Sequence, residues 1–209
     1  MDFLNKGICL CVFLFYMATA QLILAADENY GRNLAMELRN SVVRIESPEN
    51  GFGWVVGERG SDLYIVTGNH VVSPNDEYEL YKTVTIRFYH APKAVVAKPI
   101  KLDDRSVKLD IGVLRAPKPE GFIWRKDTMA TAREHKAGMK VWYIGKAGEW
   151  KIPHEPGIID NEDVSAGKDI YLNMPVLGGS SGAPLISDYG LLGMLQTDNT
   201  HRTVSQGIA

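Results

Sequence analysis

The stretch Gly179-Ser180-Ser181-Gly182-Ala183-Pro184-Leu185 sets a serine in a glycine-rich turn just ahead of an apolar run. Gly178, Gly179 and Gly182 accept backbone angles that other residues resist, so the turn can project the Ser181 hydroxyl. The same turn can aim the amides of Gly179 and Ser181 at one point, each such donor contributing about 3 kcal/mol to a developing oxyanion. Upstream, Thr67-Gly68-Asn69-His70-Val71-Val72 reads as an apolar strand ended by a histidine, and Asp110-Ile111-Gly112-Val113-Leu114 as a strand opened by an aspartate. Singly, each has a plainer reading: a surface turn, a polar strand end, a strand-start residue. Together, in the order His70, Asp110, Ser181, they are the parts of a hydrolytic triad, with nucleophile, base and the carboxylate that orients the base.

The bulk numbers leave room for this. The chain has 209 residues, enough for a substantial core, with 23% charged residues and a net charge of -2. No basic excess points to a nucleic-acid partner, no acidic block to a disordered tail, and no glycine-rich loop opens a helix for a phosphate or dinucleotide. The other histidines, His90, His135, His154 and His201, stand in surface or structural settings without zinc spacing, so neither metal nor cofactor is expected.

Lys6 precedes an apolar run from Ile8 to Ala26, with small-residue sites at Ala18-Thr19-Ala20 and at Leu24-Ala25-Ala26 before Asp27. Residues 1–26 therefore read as a secretory signal peptide or, since the run nears bilayer-spanning length, an uncleaved N-terminal anchor. Membrane contact is expected only through that segment. Cys9 and Cys11 both lie inside it, so residues 27–209 carry no disulfide framework. An exported, cysteine-free domain fits a bacterial envelope, periplasmic or extracellular.

Beyond a short helical piece, Tyr30 to Arg39, the chain is a succession of short apolar runs. Ser41–Ile45, Phe52–Val56, Leu63–Thr67, Val84–Tyr89, Ala94–Ala97 and Ile111–Leu114 form a first set. Met139–Ile144, Gly157–Ile159, Asp169–Leu172, Ala183–Ile186 and Leu191–Thr197 form a second. Turn residues such as Pro48-Glu49-Asn50-Gly51 punctuate them, the pattern of an all-β barrel or sandwich. The Pro-rich stretch after Ala116 reads as a linker, giving a first half at about 40–116, a linker at 117–136 and a second half at 137–209. His70 and Asp110 fall in one half and Ser181 in the other, so a shared site would occupy the cleft between them.

At these residues the sequence resembles the trypsin-like (chymotrypsin-fold) serine proteases, and within them the cysteine-free bacterial HtrA/Deg-type domain. The resemblance rests on Gly51–Val56, Tyr64–Val72, Asp110–Leu114, Val141–Gly145, Gly179–Leu185 and Leu191–Thr197. It implies two six-stranded antiparallel barrels. It also implies that His70 is the general base, Asp110 its orienter, Ser181 the nucleophile, and Gly179 and Ser181 the oxyanion donors. Walls of the primary substrate pocket would come from Pro175, Val176 and Leu177 and from Leu195, Gln196 and Thr197, with a preference for small or medium apolar residues.

Three departures stand out. Ala183 replaces the family's usual glycine and is small enough to be tolerated. Ser180 replaces an aspartate or asparagine, so activation through a newly cut N-terminus is not expected. The run Val204 to Ala209 reads as the start of a last strand left incomplete, as in a fragment of a longer protein whose barrel keeps an open edge. The expected function is that of an exported serine endopeptidase acting on polypeptides through an acyl-enzyme. The alternative is a catalytically silent peptide-binding module of the same fold.

Overall fold

The computed structural model describes residues 30–74, 79–91, 93–124, 135–146, 148–160, 169–197 and 203–206. The leader, residues 125–134 of the linker and the end of the chain after Gln206 lie outside the described residues.

The strands form two closed antiparallel barrels of six. The first contains β1 (Val42–Ser47), β2 (Gly51–Arg59), β3 (Asp62–Gly68), β4 (Val84–Phe88), β5 (Val95–Ile100) and β6 (Ile111–Pro117), in the ring order β1-β2-β3-β6-β5-β4. The second contains β7 (Lys140–Tyr143), β8 (Gly157–Ile159), β9 (Asp169–Asn173), β10 (Pro184–Ser187), β11 (Gly190–Thr197) and β12 (Thr203–Gln206), in the order β10-β11-β12-β9-β8-β7. This is the chymotrypsin-like fold. The sequence predicts an open edge at the last strand; among the described residues the second barrel is closed instead. Over four residues β12 pairs with β11 on one side, and over three with β9 on the other, and the ring closes.

The burial pattern explains why some strands read as unbroken apolar runs. In β1 to β3, Val43, Ile45, Val55, Leu63 and Ile65 point into the first barrel's core. The alternate residues Val42, Phe52, Trp54 and Val66 join the second core instead. Successive side chains of a strand point to opposite faces, so a sheet packed on both faces needs apolar residues at every position. β4 borders one core only, and its alternate positions are half exposed. Each large side chain fully buried this way contributes about 1.5–3 kcal/mol, so the wall shared by the two cores is a main source of stability.

The helical piece forms α1 (Tyr30–Leu38), which buries Ala35 and Leu38 in the second core. Gly31 donates its N–H to Asp188 Oδ1 at 2.7 Å, and a Cβ there would lie 2.5 Å from the Trp142 ring. A 3-10 turn (Arg39–Ser41) continues α1, and among the described residues two short α-helical turns come later, α2 (Asn69–Val72) and α3 (Asp104–Lys108). The start of α3 is fixed by a side chain. Asp103 caps α3, its Oδ1 accepting the Ser106 N–H at 2.8 Å, the usual role of an aspartate at a helix start.

Candidate active site

Sequence reading set His70 at the end of a strand and Asp110 at the start of one. Each lies just beyond its strand. β3 stops at Gly68, and His70 sits on the helical turn α2; β6 starts at Ile111, one residue after Asp110. The antiparallel register explains their meeting across 40 residues of chain. Gly68 pairs with Ile111 and Thr67 with Gly112, so the residues leaving β3 face the residue entering β6.

The Asp110 side chain then holds His70 twice. Its Oδ1 accepts the His70 backbone N–H at 2.9 Å, and its Oδ2 lies 2.7 Å from His70 Nδ1. The Asp110 carbonyl accepts the Asn69 N–H at 2.9 Å, and its own N–H reaches Val107 O at 2.9 Å. Every polar group of Asp110 is thereby used, which holds its backbone at φ 53°, a left-handed conformation rare for any residue but glycine. With the carboxylate facing Nδ1, the ring carries its proton there, leaving Nε2 as the basic nitrogen. Gly68 and Gly112 make room. A Cβ on Gly68 would lie 2.8 Å from His70 Cε1, and one on Gly112 would lie 2.8 Å from Val72 Cγ2.

Ser181 arrives from the second barrel, in the turn between β9 and β10. The Phe52 N–H of β2 donates to Ser181 O at 2.7 Å, and the Phe52 carbonyl accepts the Thr67 hydroxyl at 2.7 Å, next to Gly68. A Cβ on Gly51 would meet Val71 Cγ1 at 2.8 Å and Ser181 O at 2.9 Å, so the serine turn and the residue after His70 converge on Gly51. Ser181 itself is 5% exposed, which leaves only a small face of it open to an incoming group.

The turn owes its shape to glycines in the left-handed region, Gly179 at φ 82° and Gly182 at φ 79°. Gly182 has a second constraint: a Cβ there would run into the Phe52 carbonyl oxygen and come within 2.6 Å of Thr67 Oγ1. Ala183 has no positive φ and is wholly buried, bonding Ser180 O through its N–H at 3.1 Å and Leu195 N–H through its carbonyl at 2.8 Å. Alanine is accommodated there without strain.

Ser180 is also wholly buried and donates its hydroxyl to Gly145 O at 3.0 Å. Burial pushes the neighbouring Tyr143 phenol up, and its hydrogen bond to Ser180 works the other way. A carboxylate in place of Ser180 would face a carbonyl oxygen, so a neutral hydroxyl suits this position.

The proposed pocket walls occupy different settings. Pro175 and Leu177 are exposed, and Val176 is half-buried against the second core. Leu195 is fully enclosed, and Gln196 extends its amide across to Leu109 O at 3.3 Å, beside Asp110. The side chain of Thr197 lies outside the described residues. Phe52 and Thr67, which the sequence marks only as strand residues, join the serine turn to the histidine corner. Their contacts run through backbone atoms and one hydroxyl, and an apolar run carries no mark of those.

These features have counterparts in known proteins. The family model for the trypsin-like peptidase domain matches residues 51–193. No curated protein matches the chain. Among solved structures, the chain is similar to Deg5, with a TM-score of 0.63 at 22% identity over 86% of this chain and 89% of that one. It is also similar to an inactive mutant form of Rv3671c from M. tuberculosis H37Rv, with a TM-score of 0.62 at 20% identity over 83% and 84% of the two chains. A structure of the inactive form of the Rv3671c protease gives 0.61 at 20% identity over 86% and 90%. With the family model covering most of the chain and the two-barrel fold shared, the protein belongs to the trypsin-like peptidase domain family.

Proposed function

We propose that this protease is an exported serine endopeptidase using His70, Asp110 and Ser181. The observation that carries the reading is the doubly held histidine: one carboxylate fixes both the backbone and the ring of His70 at the seam where the Ser181 turn docks.

In the proposed reaction His70 Nε2 takes the Ser181 hydroxyl proton as Oγ attacks the substrate carbonyl. Asp110 keeps the ring in its Nδ1–H tautomer and stabilises the imidazolium that forms. The negative charge on the carbonyl oxygen is met by the N–H groups of Gly179 and Ser181, donors worth about 3 kcal/mol each in the transition state. His70 returns its proton to the leaving amine as the C–N bond breaks, leaving an acyl-enzyme. A water, deprotonated by the same nitrogen, then releases the acid and restores the serine.

The basic start at Lys6 and the apolar run to Ala26 support export of the domain ahead of this chemistry, to the periplasm or the outside of the cell. Recovering the processed protein with its N-terminus just after Ala20 or Ala26 would bear this out.

The decisive test of activity compares casein cleavage by the wild type and by Ser181→Ala. Loss of cleavage in the variant, with an unchanged melting temperature, supports the serine mechanism. Equal cleavage by both would remove Ser181 from the chemistry.

A further inference from the structure

Beside the oxyanion turn lies a cavity of about 600 Å³, bordered by Gly178 and Gly179 on the second barrel, Gly51 on β2, Arg44 and Glu46 on β1, and Gly148. Such a volume suits a side chain or short peptide segment. Among the described side chains lining it are none from residues 175–177 or 195–196, so it is a hollow separate from the pocket expected for the acyl half of a substrate, with Gly179 at its edge. A peptide crossing Ser181 would place its leaving half here.

The charges around this cavity do not cancel. Arg87 takes both oxygens of Glu46, Nε to Oε1 at 2.8 Å and Nη2 to Oε2 at 3.1 Å. Glu46 is already matched when Arg44 adds a second guanidinium through Nε and Nη2 to the same Oε1. A smaller cavity shares Arg44 and is lined also by Arg39, Glu149 and Lys151, and Glu149 pairs with Lys151 at 2.8 Å. Among these described residues, four cations stand against two carboxylates.

Arg44 is also fixed in place. Its Nη1 donates to Gly148 O at 3.3 Å, its guanidinium lies 5.1 Å from the Trp150 ring centre, and Trp150 Nε1 donates to Val42 O at 3.0 Å. Of five guanidinium N–H groups, these bonds use three. A planar fork with spare donors, set in a cluster that carries an excess of positive charge, is suited to a carboxylate.

We infer that Arg44 is a specificity-determining residue, selecting polypeptides with Asp or Glu at the first or second position after the cleaved bond. The inference rests on the protease reading above and assigns the leaving-group side of that same site.

The test uses quenched peptides identical except for Glu or Lys at those two positions, cleaved by the full chain. Wild type is expected to favour Glu by about tenfold in kcat/KM, a preference that shrinks with added salt as exposed charges are screened. Arg44→Gln brings the Glu-to-Lys ratio close to one, and Arg44→Lys retains part of it. The same peptides binding to Ser181→Ala, followed by fluorescence anisotropy, separate this inference from the catalytic one. Glu-over-Lys binding that depends on Arg44 upholds it even if no peptide is cut. Equal cleavage of the two peptides, a ratio unchanged in Arg44→Gln, or equal or absent binding to Ser181→Ala overturns it.

Discussion

The two barrels build their shares of the site by different means. The first barrel's corner is held by polar bonds: Asp110 uses its carboxylate, carbonyl and N–H to fix His70, Asn69 and itself, and both side chains remain about a quarter exposed, His70 at 28% and Asp110 at 27%. The second barrel's turn is held by shape. Gly179 and Gly182 take left-handed angles, Gly182 presses against Phe52, and Ser181 is almost enclosed. A corner held by charge should tolerate changes of similar shape and fail when its chemistry changes. A turn held by shape should fail when a single methyl group is added.

The largest effect is expected from Gly182→Ala. A left-handed alanine costs about 1–2 kcal/mol, and the added Cβ must displace the Phe52 carbonyl and Thr67 besides. Activity should fall below detection, and thermal unfolding should show a drop of several degrees, since about 1 kcal/mol moves the midpoint by 2–4 °C at this size. An active, undisturbed Gly182→Ala would mean that the turn is not held by shape.

Asp110→Asn comes next and works the other way round. It keeps the volume of the side chain but removes the charge that fixes the Nδ1–H tautomer, so kcat should fall about 10³–10⁴-fold with a smaller change in stability. Steady-state kinetics beside a melting curve would separate the two. A loss of stability as large as that of Gly182→Ala would erase the contrast between the barrels.

Ser180→Ala sharpens the comparison from the mild side. It removes the bond to Gly145 O but adds no bulk, so a loss of about 1 kcal/mol of stability is expected with kcat nearly preserved. Denaturant titration reads that difference.

The smallest effect concerns acid. Glu46 is held below the ordinary carboxylate range, chiefly by the hydrogen bonds from Arg87 and with help from Arg44, against partial burial. A depressed carboxyl stabilises the fold above its unfolded pKa, and that contribution fades as pH falls through its folded value. Glu46→Gln should therefore lower stability near neutrality and lessen the additional loss in acid. Melting midpoints across pH 3 to 7 would show it, and an unaltered acid limb would contradict it.

Much of this architecture was legible in the sequence. The runs around Val42–Ile45, Leu63–Thr67, Ile111–Leu114 and Leu191–Thr197 read as strands because β-branched and aromatic residues were bounded by turn residues. His70, Asp110 and Ser181 stood out because their local settings were unusual for polar residues. Local pattern could not supply register: only the pairing of Gly68 with Ile111 explains why His70 meets Asp110. Nor could it give the short helical turns at Asn69–Val72 and Asp104–Lys108, where a few tertiary bonds and one cap outweigh weak local preference. The roles of Gly51, Phe52 and Thr67 were hidden for the same reason: they depend on what the other barrel brings against them.

The most direct test of the central claim is labelling with a fluorophosphonate followed by peptide mass analysis, on the wild type, His70→Ala and Asp110→Asn. A single adduct on Ser181 is expected, formed far faster in the wild type than in either variant. A folded wild-type protein that stays unlabelled, or one that labels equally well without His70, would contradict it.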